Sequence, residues 1–305
     1  MLQARTLSVE VGGKHVVEGA TFTVSPRDKV GIVGRNGAGK TSLFKVLGGE
    51  AEPTQGVVIR KGGFGYLPQD PRIGGVHNSR RAISHVLSGR EIDEQVARIE
   101  KLRIAMGESP SEEAVAKYSR AEETFRVNGG YAAESEARSI AAGLGLGQDR
   151  MELELGVLSG GERRRVELAR ILFAGSDVLC LDEPTNHLDI DAKQWLLGFL
   201  RQYRGALLVI SHDLELLDEA ITRVLHLDRP NEGDTGHIIE YRGTYSQYVA
   251  ARAEDERRLA KMAAQQEREI VRMQKVVDRF GAKATKAAMA HNMEKRIAQI
   301  GRAHV

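Results

Sequence analysis

No part of this chain limits its fold more than the segment Val30-Gly31-Ile32-Val33-Gly34-Arg35-Asn36-Gly37-Ala38-Gly39-Lys40-Thr41-Ser42. Its first four residues form an apolar run of strand type. Leu43, Phe44, Val46 and Leu47 follow at helical spacing, and Gly48-Gly49 stops the helix. Between strand and helix, Gly34 to Thr41 fills every fixed position of a phosphate loop. Glycines there let backbone N–H groups converge on phosphate oxygens without a Cβ in the way, and the helix presents its positive end. The fold class expected is α/β, with strands that deliver loops into helices. Lys40 is expected to reach the β- and γ-phosphates and Thr41 to hold Mg²⁺. Gly34, Arg35, Asn36, Gly37, Ala38, Gly39 and Ser42 complete the expected nucleotide contacts.

A second apolar strand, Val178–Leu181, runs into Asp182-Glu183. An unpaired carboxylate at the end of a buried strand is costly. Asp182 is therefore expected to face Mg²⁺ through water. Glu183 is expected to point at the γ-phosphate and polarise the attacking water. Two helix-capping carboxylates are the plainer alternative. Leu158-Ser159-Gly160-Gly161-Glu162 sets a hydroxyl and two glycine N–H groups ahead of a helix predicted over 162–174, a second anion site. Taken alone, it is equally an N-cap made by Ser159 with no ligand.

The chain has 305 residues and a net charge of +2, room for one or two domains. A single cysteine, Cys180, excludes an intramolecular disulfide framework and fits a reducing compartment. There is no run of about 20 apolar residues and no signal-peptide pattern at the start. A cytoplasmic protein with no membrane partner is expected. Strands are predicted within 1–33, at Val57–Ile59 and Phe64–Leu67, and residues 70–90 read as irregular. A charged helical hairpin is predicted over 91–126. Its stripes are Ile92, Val96, Ile99, Leu102 and Arg103, then Val115, Tyr118 and Phe125. Leu259, Met262, Ile270, Met273, Val277 and Phe280 predict a long amphipathic helix over 246–280. Gly281 breaks it and a second arm starts near Thr285. Trp195, among leucines, reads as core.

With a phosphate loop and Asp182-Glu183 on the same chain, the pentapeptide Leu158–Glu162 resembles the signature of the ATP-binding cassette (ABC) superfamily. The resemblance implies a P-loop cassette with an antiparallel β subdomain and a helical subdomain. It implies that two cassettes pack head to tail. Ser159, Gly160, Gly161 and Glu162 of one then close on the ATP held by the phosphate loop of the other. It also implies roles for three more residues. Gln69, after a strand, matches the glutamine that senses Mg²⁺ and the water. Asp189 matches the aspartate that crosses the interface between cassettes. His212, after Val209-Ile210-Ser211, matches the switch histidine at the γ-phosphate. One position departs: Val11 stands near the place of the aromatic that stacks on adenine. A base–aromatic stack is worth about 1–3 kcal/mol, so weak discrimination of ATP from GTP is expected.

Two segments resemble one branch, the ABC-F proteins. The first is the charged hairpin between Gln69 and the signature. The second begins Tyr241-Arg242-Gly243-Thr244-Tyr245-Ser246-Gln247-Tyr248, continues as the long helix, and includes Arg279-Phe280-Gly281-Ala282-Lys283-Ala284-Thr285-Lys286-Ala287. The resemblance implies a soluble tandem ATPase that acts on the ribosome, in translation or in protection against an antibiotic. It implies a nucleotide-binding domain over 1–240, with a helical arm inserted at about 84–130, and a basic helical linker over 241–305. The chain is expected to be a fragment, ending in the linker's second arm, with the second cassette supplied in cis or by a homodimer. Arm and linker would contact rRNA or tRNA. From residue 270 onward the bases are Arg272, Lys275, Arg279, Lys283, Lys286, Lys295, Arg296 and Arg302, against Asp278 and Glu294. That bias suits a phosphate-lined partner. Three rivals stay open: an ATPase subunit that drives a membrane transporter, a DNA-associated cassette ATPase, and a fragment that only binds nucleotide.

Overall fold

The structure, a computed structural model, describes residues 1–70, 78–108, 111–127, 129–231 and 233–280. Its contacts divide the chain into two units, Met1–Tyr245 and Ser246–Val305.

In the first unit, alternating apolar residues build β1 (Leu2–Val11) and β2 (Lys14–Val24). They turn across Gly12 and Gly13, both at positive φ, as a two-residue hairpin requires. Next come β3 (Lys29–Gly34), α1 (Lys40–Gly48), β4 (Gln55–Arg60) and β5 (Phe64–Leu67). A helical stretch follows: α2 (Ala82–Leu87), α3 (Ile92–Glu108), α4 (Glu112–Val127), α5 (Gly130–Gly143), α6 (Gln148–Met151) and α7 (Gly160–Ala174). The chain then alternates through β6 (Val178–Asp182), α8 (Ile190–Gln202), β7 (Ala206–Ile210), α9 (Leu214–Ala220), β8 (Arg223–Asp228) and β9 (His237–Arg242).

Two sheets result. The smaller is antiparallel, in the order β2-β1-β4; the larger runs β5-β6-β7-β3-β8-β9. Its first five strands are parallel and β9 is an antiparallel edge. Every residue of β6 and β7 is buried, which is why both read as unbroken apolar runs. One core joins the two sheets and α1, through residues such as Val9, Phe22, Ile32, Phe44, Leu208 and Leu225. Cys180 lies in this core; burial raises its thiol pKa and keeps it inert.

Three expectations need correction. Part of 70–90, read as irregular, is helical: α2 is followed by one 3-10 turn, Ser88–Arg90. Ala82, Ile83, His85, Val86 and Leu87 are all buried, so the segment has too little polar face to show a period. In the hairpin, Val115 is exposed, while Ala114, Tyr118, Ala121 and Phe125 take the covered side at heptad-like spacing. A valine outweighs an alanine in a hydropathy stripe, but the small side chain allows α3 and α4 to approach. Arg103 likewise points outward, paired with Glu100 at 2.7 Å.

The long helix expected is α10 (Tyr245–Phe280), which from Ser246 onward belongs to the second unit. Its apolar stripe changes character along its length. Leu259 and Met262 are exposed, whereas Met273 and Val277 are buried. The expected second arm from Thr285, with Lys283, Lys286, Lys295, Arg296 and Arg302, lies outside the described residues. Among the described residues, no helix is long and apolar enough to cross a membrane.

Candidate nucleotide-binding site

Parallel strands end on the same side of a sheet, so loops leaving adjacent strands meet at one rim. Four neighbours in the sheet, β5-β6-β7-β3, each bring one sequence-predicted element there. Gln69 follows β5, Asp182 closes β6, His212 follows β7, and the phosphate loop leaves β3. Asn36, Gly37, Gly39, Lys40, Thr41, Ser42, Gln69, Asp182, Glu183 and His212 line one cavity of about 530 Å³ there.

The loop's glycines serve different ends. Gly39 has φ 106, and a Cβ on it would sit 2.7 Å from Val16 Cβ. A Cβ on Gly34 would lie 2.8 Å from the Leu227 carbonyl oxygen, so that glycine admits the neighbouring strand rather than the ligand. Lys40 Nζ donates to the carbonyls of Gly34 at 2.8 Å and Arg35 at 3.0 Å. Burial lowers its pKa, and the charges of Glu183 and Asp182 oppose that shift.

Asp182 is 1% exposed. Burial first, and the Glu183 charge second, push its pKa up to about 6. The Thr41 hydroxyl bonds its carboxylate, yet Asp182 Oδ2 has no hydrogen-bond partner. A buried carboxylate oxygen left over beside a hydroxyl fits Mg²⁺, which takes one or two protein oxygens and completes its shell with water and phosphate. Among the described residues no group of three or more His, Cys, Asp or Glu could hold a metal. Glu183 sits at φ 50, a strained conformation for a residue with a side chain. Its N–H donates to the Ile210 carbonyl at 2.8 Å. Its Oε2 accepts from His212 N–H at 3.2 Å, and its Oε1 is 3.5 Å from His212 Nε2. The turn at Glu183 thus swings the carboxylate across to the end of β7.

Other predicted residues lie elsewhere. Ser159, Gly160, Gly161, Glu162 and Asp189 are not part of this cavity. Ser159 and Glu162 form a reciprocal capping box on α7: Ser159 Oγ accepts from Glu162 N–H at 3.2 Å, and Glu162 Oε2 from Ser159 N–H at 2.8 Å. Asp189 caps α8, accepting from Ala192 N–H at 2.9 Å. Within one chain the capping alternative therefore describes Ser159, and Asp189 is a cap that the sequence reading did not propose. Arg35 and Ala38 line a separate recess of about 240 Å³, shared with Arg229, Pro230 and Asn231. Trp195 is half-buried, stacked on Phe199 and pressed on Gly143.

Three contributors escape the sequence reading. Asn186 lines the main cavity from the turn after Glu183. Buried Arg229 reaches back from the β8–β9 connection to the Gly37 carbonyl at 3.4 Å. Arg164, also buried, donates to the carbonyls of Pro68, Gln69, Asp182 and Glu183. Arg164 did carry a signal: with Leu168, Ile171 and Leu172 it falls on the apolar stripe of α7, where an exposed arginine would not stand.

A parallel sheet feeding a glycine loop, with a lysine, a hydroxyl and two carboxylates around one cavity, defines a P-loop NTPase cassette. The chain belongs to the ABC transporter family: the family model of that description matches residues 17–186, and a second model of the same description matches 232–304. It is 36% identical over 302 residues to a "Probable ATP-binding protein YheS" of Haemophilus influenzae, covering 97% of this chain and 44% of the relative. It is 36% identical over 249 residues to the "Tylosin resistance ATP-binding protein TlrC" of Streptomyces fradiae, covering 80% of this chain and 44% of that one. The chain thus spans about half the length of the curated relatives it matches, and they bear out the ABC-F resemblance. The fold is also that of the ATP-binding cassette MJ0796, solved as a dimer bound to ADP and Pi. The TM-score is 0.53 at 17% identity, over 79% of this chain and 98% of that one.

Proposed function

We propose that this cassette binds Mg·ATP at the rim of β5-β6-β7-β3, hydrolyses it when a second cassette closes over it, and in that closed form acts on the ribosome. The convergence of Lys40, Thr41, Gln69, Asp182, Glu183 and His212 on one cavity carries the nucleotide part. Lys40 leaves the loop carbonyls for the phosphates. Thr41 and Asp182 would hold Mg²⁺, with Gln69 beside them, and the ion would supply positive charge against the phosphate oxygens. Glu183 takes the proton of the attacking water as the water oxygen bonds to the γ-phosphorus and the bond to the β–γ bridging oxygen breaks, releasing ADP and phosphate, and His212 holds the Glu183 carboxylate in line.

Pairing of cassettes is supported by Gly160. A Cβ there would meet nothing within 4 Å, so packing inside the chain does not call for glycine. A bare helix start in an ATPase of this family suits a nucleotide brought by another cassette, with the γ-phosphate bridging Lys40 of one and Ser159 of the other. The MJ0796 cassette, solved as a dimer, offers the precedent. The ribosomal part rests on the basic bias after residue 270 and on the antibiotic-resistance relative.

The test is co-sedimentation with ribosomes. The Glu183→Gln chain with ATP is expected to pellet with them, and the parent chain without nucleotide to stay in the supernatant. Binding should weaken with salt, with a slope of about −0.7 per phosphate neutralised on single strands. No ATP-dependent sedimentation, with turnover stimulated by DNA instead, would sink the ribosomal reading.

Val11 bears on selectivity. It closes β1 half-exposed, an aliphatic group in place of a ring. GTP turnover is expected within about tenfold of ATP turnover, because the missing stack is worth about 1–3 kcal/mol. A strict preference for ATP in a paired kcat/KM measurement would show that another group reads the base.

A further inference from the structure

Arg164 makes a set of contacts that binding nucleotide does not itself require. It stands on α7, five residues past Ser159. Its Nη2 donates to the carbonyls of Asp182 at 2.7 Å and Glu183 at 3.0 Å. Its Nη1 donates to the Pro68 carbonyl at 3.0 Å and to that of Gln69. One guanidinium therefore ties the ends of β5 and β6 to the signature helix. These are the two strand ends that present Gln69 and Glu183 to the cavity. A guanidinium carries its donors in a rigid planar fork, so the four carbonyls cannot shift independently. The capping box makes the first turn of α7 equally stiff. A displacement at Ser159 is therefore passed along about 7 Å of helix to the backbone on either side of the hydrolytic residues.

We propose that Arg164 is a positioning residue that couples each cassette's signature helix to that cassette's own Gln69 and Glu183. Engagement of Ser159 by the partner's nucleotide then aligns hydrolysis at the opposite site. The proposal rests on the paired-cassette reading and adds a direction of communication to it: each site learns through α7 whether the other is filled.

The experiment compares the parent chain with Arg164→Met and Arg164→Lys. Affinity for a fluorescent ATP analogue is expected to stay within about threefold, because no phosphate contact is lost. The kcat is expected to fall about tenfold to a hundredfold, the size of losing charge-assisted hydrogen bonds in a positioned site. The Hill coefficient for ATP is expected to fall to about 1, the value for uncoupled sites. Lysine, a point donor, should restore melting temperature better than it restores kcat. Amide exchange gives a readout independent of turnover. ATP should protect both 158–168 and 64–70 in the parent, but only 158–168 in Arg164→Lys. Parent turnover per molecule that does not depend on protein concentration would overturn the paired-cassette reading, and this proposal with it. A parent that does pair, beside variants with unchanged kcat, Hill coefficient and protection pattern, would overturn the role of Arg164 alone. A lowered melting temperature with parental kinetics counts in that second class.

Discussion

Glu183→Gln is expected to leave Mg·ATP affinity within about threefold of the parent and to lower turnover about 10²–10⁴-fold, the range for loss of a positioned general base. The expectation follows from where the carboxylate sits. Its backbone is held at φ 50 by the bond from Glu183 N–H to the Ile210 carbonyl, and glutamine tolerates the same conformation. The amide oxygen can still accept from His212 N–H, as Oε2 does at 3.2 Å. The loop geometry, Lys40 and Thr41 are then unchanged, which preserves binding. What the amide cannot do is take a proton from water. A slow variant that still binds should accumulate in the closed, paired state, because ATP stabilises that state and nothing removes it. Phosphate release, nucleotide titration and size-exclusion chromatography in ATP check the three parts separately. Hydrolysis at the parental rate would take Glu183 out of the base role and turn attention to His212 and Asp182, the other proton acceptors that line the cavity.

Sequence and structure agree best where chemistry is attached to the ends of parallel strands. The loop after Gly34 and Asp182 could be placed because a short apolar run precedes each, and the family resemblance placed Gln69 and His212 after runs of the same kind. Agreement fails where a residue's role depends on what lies across from it. Nothing in Arg163-Arg164-Arg165 separates the buried arginine from its neighbours except its phase on α7. Arg229 is read only once the β8–β9 connection is seen to fold back on Gly37. The family resemblance gives Ser159 and Asp189 roles across a partner cassette, and a single chain uses both as helix caps, the plainer reading of Ser159. The two uses are compatible. A cap fixes the first turn, and a fixed first turn is what an approaching phosphate needs. The α4 stripe is legible at Tyr118 and Phe125 but not at its first position, because hydropathy weights Val115 above Ala114, whereas close helix packing favours the smaller side chain.

The largest effect on stability is expected at Glu167, a buried carboxylate of α7 with no part in the nucleotide site. Its Oε2 lies 2.7 Å from His85 Nε2, on α2. Arg170 closes the other side, with Nη2 donating to Oε1 at 2.6 Å and Nε to Oε2 at 3.0 Å. Nearby, Arg90 lies over the Phe173 ring, 4.1 Å from its centroid, and pairs with Glu136 at 2.7 Å. These contacts join α2, the 3-10 turn after it, α5 and α7, the helix that carries the signature. Burial alone would raise the Glu167 pKa, but the hydrogen bonds from His85 and Arg170 overcome it and hold the carboxyl at about 2. The folded state thus binds fewer protons than the unfolded chain between pH 4.5 and 2. The stabilisation is complete above about pH 4.5 and is lost as pH falls towards 2. At about 1.4 kcal/mol per unit it is on the order of 3 kcal/mol. Glu167→Ala also strands His85 and the half-buried Arg170, and breaking such a pair costs about 3–5 kcal/mol. For a unit of this size the melting temperature should fall by about 10 °C at pH 7. The gap should narrow as pH approaches 2, where the parent's carboxylate is itself protonated. Glu167→Gln, which keeps the shape and loses the charge, should fall between the two. Calorimetric melts at pH 7 and at pH 3 measure both parts. Equal melting temperatures at pH 7 would mean that the three helices hold together by apolar packing alone, with the ion cluster a passenger.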